Sequence, residues 1–187
     1  MRYSVLEMMG GRTVLAGGIA GRKLLTALIT ASPPPDGPVA AFLDFARIEV
    51  ATSSFLRESI VGFRNYARSS LANVYPVAAN MEAPVLEEFE FFLRAHSDVF
   101  WICRLNTNES ISGARLLGDL DPAQRTTFEA VLALGAVTAP ALASRFQHLG
   151  IGPTAWNNRL SALAAKGLLI EQKVGKTKSF TPLLEMT

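Results

Sequence analysis

The stretch Thr154-Ala-Trp-Asn-Asn-Arg-Leu-Ser-Ala-Leu-Ala-Ala-Lys-Gly-Leu-Leu169 decides how the last third of this chain reads. Trp156, Leu160 and Leu163 recur at helical spacing, and Lys166-Gly167 closes the run, so an amphipathic helix is expected there with Thr154 as its cap. Ala155, Asn157, Asn158, Arg159 and Ser161 fall away from the Leu160/Leu163 face. Upstream, Asp121-Pro122 opens a helix that carries Phe128, Val131, Leu132 and Leu134 and stops at Gly135. A second short helix, Ala139 to Gln147, buries Leu142, Ala143 and Phe146, and the turn Leu149-Gly-Ile-Gly-Pro153 follows. Downstream, two strands are expected, Leu168 to Val174 and Ser179 to Thr181, joined by the tip Gly175-Lys176-Thr177.

Three helices followed by a two-stranded hairpin, with that Thr154 to Leu169 stretch as the third helix and the entry to the wing, resemble the winged helix-turn-helix of bacterial regulators. The resemblance covers the last third of the chain. It implies a recognition helix whose Thr154, Asn157, Asn158, Arg159 and Ser161 face duplex DNA, and a wing whose Lys173, Lys176 and Lys178 reach backbone phosphates. Asparagine pairs bidentately with adenine in the major groove, arginine with guanine or phosphate, and lysine with phosphate at any sequence. The same fold also docks proteins or dimerises.

Charge is distributed in keeping with such a module. From Ala141 onward six bases stand against two acids, whereas residues 1 to 140 hold twelve bases and fourteen acids, so the overall +2 hides a basic tail on a mildly acidic body. That asymmetry suits a nucleic-acid module joined to a different one, although a few lysines on a small domain also make an ordinary solvated surface. The length of 187 residues accommodates two domains. Hydrophobic residues make up 49% and the mean hydropathy is +0.24, which calls for filled cores or a buried interface. No apolar run is long enough to span a bilayer, and the charged start Met1-Arg2-Tyr3 lacks the apolar core of a signal peptide. A membrane partner is therefore not expected. Cys103, the only cysteine, has no internal disulfide partner and sits beside Trp101 and Ile102 as a buried strand thiol, so a reducing cytoplasm is the expectation.

The N-terminal body alternates strands and helices. Val39 to Phe45 is nearly all apolar, as a strand buried on both faces is. A helix from Gly21 to Ala31 precedes it and is broken by Ser32-Pro-Pro-Pro-Asp-Gly-Pro38. Ser53 to Arg68 carries Phe55, Leu56, Ile60 and Phe63 opposite Arg57, Glu58, Arg64 and Arg68. Val74 to Ala78, Ala83 to His96 and Val99 to Leu105 complete a strand-helix-strand unit, and the polar stretch from Asn106 to Leu120 reads as a linker. This alternation argues for an α/β fold, a sheet flanked by helices. The expected division is a domain over 1–105, a linker over 106–120 and a second domain over 121–187.

Phe42-Leu-Asp-Phe-Ala-Arg-Ile-Glu-Val-Ala-Thr-Ser-Ser-Phe-Leu-Arg-Glu58 resembles the core of STAS and STAS-like domains, the fold of bacterial anti-sigma-factor antagonists, and is most similar to their STAS-like relatives of uncharacterised function. A buried strand ends in Asp44-Phe45, and after a short turn Thr52-Ser53-Ser54 opens a helix. In the antagonists a serine at that place is phosphorylated by a partner kinase, which controls docking; Ser53 and Ser54 are the matching positions. Here Thr52 and Phe55 replace the acid before the serine pair and the glycine after it. A phosphate there would meet free helix N–H groups, yet the same three residues also serve simply as N-caps.

Enzyme-like signals are weak. Ala16-Gly-Gly-Ile-Ala-Gly21 lacks the first glycine of a dinucleotide fingerprint, and a turn into a helix explains it. Arg22-Lys23 is followed by Leu24, which rules out a P-loop. His96 and His148 lack ligand-spaced partners, so no metal is expected, and no elbow motif frames a serine nucleophile. Neither catalysis nor a cofactor is expected. The acidic run Glu82, Glu87, Glu88 and Glu90 reads as a solvated helix face or a docking patch. The leading expectation is a DNA-binding regulator whose N-terminal module senses or recruits a partner. The alternatives are a protein-interaction adaptor that docks a kinase-like ATPase, and a subunit of a larger nucleic-acid complex; the sequence leaves a homo-oligomer open.

Overall fold

The computed structural model describes residues 1–107, 110–175 and 177–186. It is a mixed α/β protein in which the chain forms two compact units, residues 1–119 with residue 186, and residues 120–185.

In the first unit a five-stranded sheet has the order β1 (Arg2–Ser4), β3 (Val39–Asp44), β5 (Val74–Ala79), β6 (Val99–Leu105) and β7 (Ile111–Gly118). The first four run parallel, and β7 returns antiparallel beside β6. A separate parallel ladder joins β2 (Val14–Leu15) to β4 (Val50–Ala51). Short α1 (Val5–Met8), α2 (Gly18–Ala31) and α5 (Ala83–Ala95) are helical, as is the run from Ser53 to Leu71. Leu24, Leu28, Phe55, Ile60, Phe63, Phe89 and Leu93 from these helices share one buried cluster with Leu43, Val74, Ala78, Phe100 and Ile102 of the strands. Each of the larger side chains among them contributes about 2 kcal/mol on leaving water. Tyr75, Val77, Ala79, Trp101 and Leu105 alternate with those strand residues and are buried as well, which is why the strands read as continuous apolar runs.

The helix from Ser53 is less regular than its apolar periodicity predicts. It passes through α3 (Ser53–Leu56), a π turn at Arg57–Val61, α4 (Gly62–Tyr66) and a second π turn at Ala67–Leu71. At the first π turn the buried Ser59 donates its hydroxyl to the Phe55 carbonyl at 2.7 Å, so side chain and backbone compete for that acceptor. Helix α2 begins at Gly18, three residues earlier than expected. Its Gly21 is required by packing: a Cβ there would lie 2.6 Å from the Phe55 carbonyl oxygen. This close approach, with the turn at Gly17 (φ 81°), accounts for the glycine run.

The stretch expected as a linker is instead mostly strand. β7 pairs along β6 from Leu105↔Ile111 to Val99↔Gly118, with an irregularity between Ile102 and Arg104. Gly113 lies at that irregularity with φ 59°, a left-handed conformation that glycine adopts without strain and that suits a β-bulge. The exposed, polar side of an edge strand is what made the segment look unstructured. The first unit therefore runs on to residue 119 and not to 105.

The second unit holds α6 (Pro122–Leu134), β8 (Val137–Thr138), α7 (Ala139–Arg145), a 3₁₀ turn at Gln147–Leu149, α8 (Pro153–Ala165), β9 (Leu169–Val174) and β10 (Thr177–Pro182). Asp121 caps α6, accepting from the Gln124 N–H at 2.8 Å. Strands β8, β10 and β9 form an antiparallel sheet in that order. Phe128, Val131, Leu142, Trp156, Leu160, Leu163, Leu169 and Phe180 are buried in this unit. Among the described residues no helix is long and apolar enough to cross a membrane.

Candidate nucleic-acid interface

Helix α8 starts two residues earlier than its sequence suggests. Gly152 is the N-cap, with no side-chain cap bond, and Pro153 occupies the first turn. Thr154 is therefore not the cap: it lies within the first turn, exposed. Trp156, Leu160, Leu163 and Ala164 point inward. At about 100° per residue this leaves Thr154 and Asn157 on one flank and Arg159 on the other.

Thr154, Asn157 and Pro153 line a groove of about 440 Å³, whose other walls are Ala139 and Pro140 at the start of α7 and Thr177 and Lys178 of β10. Thr138 caps α7, its hydroxyl accepting from the Ala141 N–H at 3.3 Å. The groove thus lies beside the amino ends of two helices, where unpaired N–H groups and the helix dipole favour an anion. Lys178 Nζ is 2.7 Å from a Glu171 carboxylate oxygen. That exposed pair is worth about 0–1 kcal/mol, little enough to be exchanged for a phosphate.

The remaining expected contacts divide. Asn158 and Lys173 are exposed, and Lys173 stands opposite Lys178 in the β9–β10 register. Arg159 is half-buried with its guanidinium 5.7 Å from the Trp156 ring centroid, and Trp156 packs 5.8 Å from Phe146. Ser161 is corrected: its hydroxyl oxygen is buried and finds no hydrogen-bond partner among the described residues, so it is not presented to a ligand. Lys176 lies outside the described residues. Pro153, Ala139, Pro140 and Thr177 were not among the residues expected at the site. The Thr138-Ala139-Pro140 triplet, a cap followed by proline in the first turn, was the available signal for a second helix N-terminus at the groove.

In the first unit Thr52, not Ser53 or Ser54, caps α3, its hydroxyl accepting from the Phe55 N–H. The Thr52 hydroxyl also accepts from the Gly17 N–H at 3.1 Å and lies 3.2 Å from that of Ser54. Ser53 donates both its N–H, at 2.8 Å, and its hydroxyl to the same oxygen of Glu88. These bonds, the hydroxyl first and the backbone N–H second, hold the Glu88 carboxyl below its ordinary value. The acidic run on α5 is accordingly split in role. Glu88 is an anion seated at a helix start, Glu90 pairs with Arg94 at 2.8 Å, and Glu82 with Arg104 at 3.3 Å.

Asp44 ends β3 as a buried carboxylate. Burial alone would raise its pKa, but the Ala46 N–H, the Asn80 amide and Arg2 hold it below the usual value; Arg2 approaches to 2.6 Å. Burial, with the charge of Asp44 adding, pushes the Cys103 thiol up to about 11. Among the described residues no group of three or more His, Cys, Asp or Glu side chains is placed to hold a metal. Comparison of the chain with protein-family models, curated proteins and solved structures yields no match.

Proposed function

We propose that the protein is a DNA-binding regulator in which residues 120–185 act as a winged helix-turn-helix on duplex DNA. The observation that carries this reading is the groove bounded by the first turns of α7 and α8 and by the β9–β10 hairpin. Thr154, Thr177 and Lys178 on its walls suit the phosphate backbone. Asn157 and the exposed Asn158, in the first half of α8, suit base edges, and the exposed Lys173 on the wing suits phosphate. Arg159 contributes charge from the opposite flank. The first unit, a STAS-like module in this reading, supplies the signal or the partner. The excess of bases beyond Ala141 supports the assignment.

The direct test is fluorescence anisotropy of the full-length protein on labelled duplexes, with Asn157→Ala and Lys178→Ala variants. Asn157→Ala is expected to cost about 1–3 kcal/mol on a preferred sequence and to relax selectivity there. Lys178→Ala is expected to weaken every duplex alike. Unchanged binding in both variants would remove the groove from the interface.

A second reading is favoured by a different observation. Val14, Val50 and Ile19 are 55%, 43% and 70% exposed, and all lie around the Thr52 to Ser54 helix start: Val14 pairs with Val50, and Gly17 donates to Thr52. Apolar side chains beside a modifiable serine suit an adaptor that docks a kinase-like ATPase. That reading requires phosphorylation of Ser53 or Ser54 to change partner binding. Partner interactions that survive Ser53→Asp and Ser54→Asp intact would end it.

A further inference from the structure

The β-bulge between β6 and β7 opens a cavity of about 240 Å³ at the carboxyl end of the parallel strands, within the first unit. Its floor is Ala78 and Ile102, and Met81 and Leu86, from the entry to α5 and its first turn, line it as well. Arg104 and Arg115 line the same cavity; their register partners, Ser112 and Ile102, place both on the helix-covered face of the sheet. Gly113, also in the lining, has no side chain to fill the space. Crevices at the carboxyl ends of parallel strands are where α/β sheets bind ligands.

An apolar chamber with two guanidinium groups in its wall matches a molecule with an apolar body and one planar anion. The volume holds roughly eight waters' worth of liquid, which restricts the body to a few carbons. Glu82 faces Arg104 at 3.3 Å in an exposed pair, a contact an incoming carboxylate replaces. The side chain of Cys103, in register with Ala79, lies on the opposite face of the sheet from Ala78 and Ile102, so the chamber offers binding and not thiol chemistry.

We propose that this cavity is a binding site for a small aliphatic carboxylate, held by Arg104 and Arg115 with its hydrocarbon tail on Ala78, Met81, Leu86 and Ile102. The inference is independent of the DNA-binding reading.

Isothermal titration calorimetry of the full-length protein with hexanoate tests it, with acetate, hexan-1-ol and inorganic phosphate as comparators. Hexanoate is expected to bind one to one and saturably, with affinity reduced roughly tenfold or more in Arg104→Ala and Arg115→Ala. Both arginines are exposed, so the variants keep the wild-type melting temperature. Acetate, hexanol and phosphate are each expected to bind more weakly than hexanoate. The proposal is overturned if hexanoate fails to bind, if both arginine variants bind it as the wild type does, or if acetate, hexanol or phosphate binds as tightly.

Discussion

Asp44 and Gly21 show how single residues set the limits of the first unit. Asp44 is 3% exposed and ionised, and its charge is met by Arg2, Asn80 and the Ala46 N–H. Replacing it with alanine strands three donors and is expected to cost about 3 kcal/mol in chemical denaturation. Because its folded pKa is depressed, its contribution is fully present above the ordinary value of 3.8 and is lost as pH falls through the folded value. The wild type should therefore lose stability below about pH 4 more steeply than Asp44→Asn. Equal acid slopes would contradict this. Gly21→Ala opposes two effects. A mid-helix glycine normally costs about 1 kcal/mol relative to alanine, but here the added methyl would meet the Phe55 carbonyl oxygen at 2.6 Å and Glu58 Cβ at 2.8 Å. The clash with backbone wins, and a net loss of about 1–3 kcal/mol is expected.

Among the elements, the start of α3 is the one whose account makes the sharpest prediction. Ser53 donates two hydrogen bonds to Glu88 and so clamps α3 to α5, and Ser53→Asp sets two carboxylates against each other. A loss of about 1–3 kcal/mol is expected, and Glu88→Gln should recover much of it in a double-mutant cycle. Additive losses would show that the two residues are not coupled. The elements also show what was readable in the sequence. Strands β3, β5 and β6 and helices α5, α6 and α8 announced themselves because burial on a sheet or one helix face leaves a strong apolar period. β1, β2, β4 and β8 are two or three residues long and carry no period, and β7 alternates too weakly beside a polar loop. The Ser53–Glu88 clamp joins residues 35 positions apart, and no local pattern encodes such a pairing. At the groove, Asn157 and Lys178 followed from helix and hairpin patterning. Ser161 failed as a contact because the expected helix face said nothing about neighbours that cover its hydroxyl.

Across the whole molecule, the basic excess after Ala141 is the property the proposed function depends on. A protein that neutralises phosphates releases counterions, so its affinity falls with salt by a slope near 0.9 per phosphate contact. Neutralising Lys173 and Lys178 together is then expected to reduce that slope by about two while leaving the ranking of sequences unchanged. The carboxylate cavity draws on a separate part of the chain and predicts no change in this slope when Arg104 or Arg115 is replaced.

The most direct measurement is the affinity of the full-length protein for its own upstream duplex and for a scrambled duplex, across a salt series. The logarithm of the affinity is expected to fall linearly with the logarithm of salt concentration, with a preference for one duplex that Asn157→Ala erases. No binding to either duplex, even at the lowest salt, would contradict it.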